Sequence, residues 1–108
     1  MPDGRYRIGA LPVDVVEGVA KLADTDTIAG STATMDRLFR FAVANSGLDE
    51  DTALVAAARQ TSVNAGRALG LGDVGLTPGA AADLVVLDPS LTVTAVMRRG
   101  SWVIAPSG

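Results

Sequence analysis

The side chains available for chemistry in this sequence are carboxylates, hydroxyls, guanidinium groups and the ammonium of Lys21, because the chain contains neither His nor Cys. Without thiols there is no disulfide, no thiolate nucleophile and no Cys-ligated zinc or iron–sulfur site. Without imidazole the Ser-His-Asp arrangement is excluded, and with it the commonest general base at neutral pH. Any metal would fall to oxygen ligands alone. Asp24 and Asp26 form one acidic pair, and Asp49, Glu50 and Asp51 form a run. Neither has the ligand spacing of a calcium loop. The run suits the positive end of a helix dipole and the pair suits a solvated loop.

Gly70, Gly72, Gly75 and Gly79 do not have the spacing of a dinucleotide or P-loop fingerprint, and they precede a strand pattern instead of opening a helix, so they are expected to serve turns. Trp102 could stack on a sugar ring, but a lone Trp on a hairpin is more often a core anchor. The most informative stretch is Thr27-Ile28-Ala29-Gly30-Ser31-Thr32, small residues and hydroxyls ahead of a helical pattern. Free backbone N–H groups at a helix start can hold a polar or anionic ligand, and the plainer reading is an N-cap.

The elements that must position these residues follow from periodicity. Gly4 to Gly9 and Val13 to Leu22 alternate imperfectly and predict two or three short strands, with Asp24 to Ser31 as a loop. Met35, Leu38, Phe39, Ala42 and Val43 share one helical stripe, predicting a helix from about Thr32 to Ser46, capped by Ser31 or Thr32 and ended by Gly47. A second helix is expected to start at Asp49 and bury Leu54, Val55 and Ala58, and a third to cover Val63 to Leu69. Leu76-Thr77-Pro78-Gly79 reads as a type II turn. Ala82 to Asp88, Thr92 to Met97 and Ser101 to Ile104 read as strands, the last two forming a hairpin around Arg99-Gly100.

The chain has 108 residues, 48% of them hydrophobic, enough for one modest core. A formal charge of -3, with basic residues scattered in pairs, argues against nucleic acid as a partner. No signal-peptide pattern opens the sequence and no apolar run approaches a bilayer span, so a cytoplasmic location with no membrane partner is expected.

Several segments, taken together, resemble a known family: Asp3-Gly4-Arg5-Tyr6, Val13 to Leu22, Thr27 to Asp36, Leu69-Gly70-Leu71, Thr77 to Asp88 and Met97 to Val103. They are similar to the C-terminal part of N-acetylglucosamine-6-phosphate deacetylases of the amidohydrolase superfamily. The Pro78 to Asp88 stretch resembles the tail of many amidohydrolases, whereas Thr27 to Met35 points to the deacetylase branch. The resemblance implies an α/β fold: the C-terminal fragment of a (β/α)8 barrel plus strands of a small β-sandwich. Residues 1–70 would end the barrel, with Thr32 to Ser46 as its final helix, and 71–108 would supply sandwich strands. It also implies hydrolysis of the acetamide of N-acetylglucosamine 6-phosphate, with a divalent metal of the zinc or iron type polarising water and an aspartate handling the proton.

On that template the catalytic aspartate and the metal ligands precede the segment matching Met1. No catalytic or metal-ligating residue then falls in this chain, and the isolated chain is expected to be inactive. Substrate contact maps onto Ile28, Ala29 and Gly30. The implied partner is a small amino-sugar phosphate, and the parent enzyme is expected to be a homo-oligomer.

Two departures from the family pattern stand out. Asp26 replaces a usual Gly, and Ala65-Gly66 replaces a Pro-Ala pair, the glycine costing a helix about 1 kcal/mol against Ala. Two alternatives remain open at this point: the tail of another amidohydrolase, acting on a cyclic amide or nucleobase, and a stand-alone non-catalytic α/β binding module.

Overall fold

The computed structural model describes residues 1–72 and 74–108. By contact the chain divides into two units, Met1–Thr34 and Met35–Gly108.

The first unit is an antiparallel meander of four strands in sequence order: β1 (Gly4–Ile8), β2 (Leu11–Val16), β3 (Val19–Leu22) and β4 (Ile28–Gly30). The period-2 alternation of β2 turns Val13 and Val15 to one face, where they are buried with Ala20 and covered by Tyr6, Leu22 and Ala29. Asp14, between the two valines, faces the other way and takes a two-pronged hydrogen bond from its cross-strand partner Arg5, at 2.6 and 2.8 Å. Glu17 and Gly18 join β2 to β3 with φ of 49° and 76°, as a type I′ turn requires.

The second unit begins with α1 (Met35–Asn45), whose start lies three residues after the expected one. Neither Ser31 nor Thr32 caps it. The Ser31 hydroxyl accepts from Ala33 N, and the Thr32 hydroxyl donates to the Gly18 carbonyl. At the other end Asn45 and Ser46 donate to the Phe41 and Val43 carbonyls, and Gly47 takes the expected positive φ of 69°. On the apolar stripe Met35 and Leu38 are exposed and Phe39, Ala42 and Val43 half-buried.

Asp49 caps α2 (Glu50–Ala58) as expected, its carboxylate accepting from Thr52 N at 3.0 Å. The buried face differs from the expected one. It consists of Ala53 and Ala57, whereas Leu54 is half-buried and Val55 and Ala58 are exposed. Small side chains let the backbones of α1 and α2, which pack together, come close.

From α2 the chain runs without a break through a π-helical stretch, Arg59–Val63, into α3 (Asn64–Ala68). Asn64 N donates to the Arg59 carbonyl, five residues back, and Thr61 Oγ1 donates to the Ala57 carbonyl at 2.8 Å. Gly66, in the helix that follows this wider turn, is buried. A Cβ on Gly66 would lie 2.4 Å from Val74 Cγ2, so the glycine answers a close approach and is more than a helix penalty.

A type II turn at Thr77–Ala80 follows, with Gly79 at φ 89° and Ala80 N donating to the Thr77 carbonyl. The second sheet is antiparallel, ordered β5 (Leu84–Leu87), β6 (Val93–Arg98) and β7 (Ser101–Ile104). Its second hairpin turns at the expected Arg99-Gly100. Of this sheet's described residues Ala95 alone is buried, and β7 is exposed along its whole length.

Candidate functional site

Ile28, Ala29 and Gly30 do not lie in an open loop but form β4, the edge strand of the first sheet. The pairs Ala20↔Gly30 and Lys21↔Ile28 leave Ala29 as an extra residue, a β-bulge. The bulge sends the small Ala29 side chain against Val13, Val15 and Ala20 and leaves Ile28 68% exposed. The approach to β4 is fixed by Leu22 N donating to the Thr27 carbonyl at 2.9 Å and Thr27 N donating to Thr25 Oγ1 at 3.1 Å. The exposed backbone edge and the bare Cα of Gly30 present amide groups a ligand can reach, but no titratable side chain that could move a proton.

Asp24 and Asp26 line an open depression of about 350 Å³ on the same sheet, together with Asp14, Lys21 and Thr25. Lys21 Nζ is 3.3 Å from Asp26 Oδ1, so this aspartate has a cationic neighbour. The Arg5 guanidinium, chiefly by its hydrogen bonds, holds the Asp14 carboxyl below the usual carboxylate range. With Arg5 and Lys21 beside two of the three carboxylates, this donor set does not suit a divalent cation. Among the described residues no group of three His, Cys, Asp or Glu side chains is arranged to hold a metal.

Asp83 and Asp88, at the end of the Thr77 to Asp88 stretch, hold turns. Asp83 Oδ1 accepts from Arg99 N at 2.7 Å while Gly100 N donates to the Ala82 carbonyl, which pins the β6–β7 hairpin. Asp88 Oδ1 accepts from Ser90 N, Ser90 Oγ and Thr92 N, and these bonds, the Ser90 hydroxyl first, keep its carboxyl below the ordinary value. Asp49 is lowered in the same way by Thr52 N. Trp102 is half exposed on β7 and does not anchor a core in this unit.

Reading the sequence locally missed two hydrogen-bonded links. Asp3 accepts from Glu17 N and Gly18 N at 3.0 and 3.1 Å, and Thr32 donates to the carbonyl of the same Gly18. Both reach across fourteen or fifteen positions, and the one local signal near them is the Glu17-Gly18 turn itself.

The geometry of both sheets and the helices matches known proteins closely. The amidohydrolase family model aligns with residues 10–103. The chain is similar, with a TM-score of 0.91 and 63% identity, to an aspartate-to-alanine variant of the Mycobacterium smegmatis N-acetyl-D-glucosamine-6-phosphate deacetylase solved in complex with N-acetyl-D-glucosamine 6-phosphate. That match covers 97% of this chain and 28% of the other. The N-acetylglucosamine-6-phosphate deacetylase of Thermotoga maritima aligns at 33% identity with a TM-score of 0.76, over 96% of this chain and 28% of that one. The human enzyme of that name is 38% identical over 94% of this chain and 24% of its own length. The chain thus spans about a quarter of the length of the relatives it matches. With the family model covering nearly all of the sequence and the solved folds superposing, the chain belongs to the amidohydrolase family.

Proposed function

We propose that these residues are the C-terminal portion of an N-acetylglucosamine-6-phosphate deacetylase, which hydrolyses the acetamide of N-acetylglucosamine 6-phosphate to glucosamine 6-phosphate and acetate. The observation that carries this reading is the 63% identity and common fold, over 97% of the chain, with a deacetylase that binds that sugar phosphate. Residues 1–70 end the catalytic barrel, α1 being its last helix, and residues 71–108 are strands of the small β-sandwich. Ile28, Ala29 and Gly30 contact the substrate through the exposed edge of β4. A divalent metal, zinc or iron in type, belongs to ligands elsewhere in the parent enzyme, since the residues described do not fit one. The parent works as a homo-oligomer in the cytoplasm.

The exposed apolar residues support a piece of a larger enzyme over a stand-alone module. Met35 and Leu38 on α1 and Val85, Trp102, Val103 and Ile104 on the second sheet are all solvent-facing in the chain by itself. The purified 108-residue chain should release no acetate from N-acetylglucosamine 6-phosphate with zinc or iron added. A hybrid in which this sequence replaces the homologous segment of the M. smegmatis enzyme separates the branches of the family. Exchanging Ile28–Gly30 for the segment of an amidohydrolase that acts on a cyclic amide should weaken sugar-phosphate binding. Unchanged affinity would point to another amidohydrolase activity.

A further inference from the structure

The segment following β4 continues its pairing by another means. Ala20 faces Gly30 across the ladder, and continuing that antiparallel register past the strand ends, two residues before Ala20 and two after Gly30, leads to Gly18 and Thr32. At this position the Thr32 hydroxyl donates to the Gly18 carbonyl. Gly18 is held through its amide as well, because its N–H and that of Glu17 both donate to the Asp3 carboxylate. The β2–β3 turn is therefore clasped between the start of the chain and the residues just past β4. The bulge at Ala29 lies between this clasp and the tied Thr25–Thr27 turn, so the exposed Ile28 and Gly30 are fixed at both ends.

We propose that Thr32, through Gly18 and Asp3, is a positioning residue for the substrate-contacting edge at Ile28–Gly30 in the deacetylase. The inference rests on the functional reading above and adds residues that touch no substrate. Thr32→Val keeps the shape of the side chain and removes the donor, which frees the end of β4 to shift. Thr32→Ser keeps the donor.

The test uses the hybrid enzyme already described. In the Thr32→Val form the KM for N-acetylglucosamine 6-phosphate should rise about five- to tenfold, the effect of losing one hydrogen bond, with kcat changed by less than about twofold. Thr32→Ser should restore the KM. Asp3→Asn, which weakens the other half of the clasp, should raise the KM in the same direction and by less. Amide hydrogen exchange over residues 28–32 should quicken in Thr32→Val and not in Thr32→Ser. An unchanged KM in Thr32→Val, or a serine form as impaired as the valine form, would overturn the proposal. An unsubstituted hybrid that neither binds nor turns over the sugar phosphate would defeat the functional reading instead; exchange that stays slow in Thr32→Val would then still overturn the clasp.

Discussion

The two units solve the burial problem differently. In the first, a meander of short strands encloses a small core of its own, with Val15 1% and Val13 2% exposed and Tyr6, Leu22 and Ala29 packed around them. In the second, the fully buried side chains among the described residues are alanines, Ala53, Ala57 and Ala95, while larger apolar residues on α1 and β7 face solvent. Burying a methyl group contributes far less than burying a valine or leucine, since the hydrophobic term scales with area. The first unit encloses a core of its own, and the second leaves larger apolar side chains of α1 and β7 at the surface, as the proposed reading of these residues as one part of a larger enzyme requires.

The sharpest way to break this contrast is to place a charge in each unit. Val15→Asp puts an unpaired carboxylate into the valine core of the first sheet and should cost about 4 kcal/mol or more, enough to melt that sheet. Loss of its circular dichroism signal and of slow-exchanging amides between residues 4 and 22 would report it. Gly66→Ala comes next, with a sign opposite to helix propensity. Propensity alone favours the alanine, but its Cβ would meet Val74, so destabilisation of about 1–3 kcal/mol is expected by denaturant titration. Gly66→Ala combined with Val74→Ala should recover part of that loss.

Acid gives a smaller, distributed effect. The carboxyls of Asp14, Asp49 and Asp88 all titrate below the ordinary value of 3.8 in the folded chain. A depressed folded value means the unfolded chain binds the proton first, so their contribution is fully present above the unfolded value and is lost as pH falls through the folded ones. Stability should therefore be flat at neutral pH and decline below about pH 4. Asp49→Asn, which can still cap α2, should reduce that decline in the helical signal. The smallest effect is expected for Val103→Asp. With Val103 66% exposed, it should change the stability of the isolated chain by less than about 0.5 kcal/mol. On the proposed reading that face is covered in the hybrid enzyme, and there the same substitution should lower thermal stability by several degrees.

What is legible in the sequence tracks how local the cause is. Asp49 as a cap, Gly47 as a helix stop, the Thr77–Ala80 turn and the Arg99-Gly100 hairpin each depend on neighbours within a few positions, and all appear where periodicity and turn chemistry put them. Thr32 reads locally as a cap because its partner, Gly18, is fourteen residues away. β4 hides among small polar residues, since a three-residue edge strand with a bulge has no alternation to detect. Hydrophobicity points to Leu54, Val55 and Ala58 for the inner face of α2, whereas the residues buried on that helix, which packs with α1, are the small Ala53 and Ala57. The candidate contact residues Ile28, Ala29 and Gly30 rest on family resemblance and not on residue chemistry. Backbone amides and an isoleucine carry no signature of their own.

The most direct measurement is acetate release by the hybrid M. smegmatis enzyme, beside the 108-residue chain alone, at equal concentration with metal supplied. The hybrid should deacetylate N-acetylglucosamine 6-phosphate within about tenfold of the unmodified enzyme, and the isolated chain should do nothing. A folded, metal-loaded hybrid without activity, or turnover by the isolated chain, would contradict the assignment of these residues as one part of a deacetylase whose catalytic groups lie elsewhere.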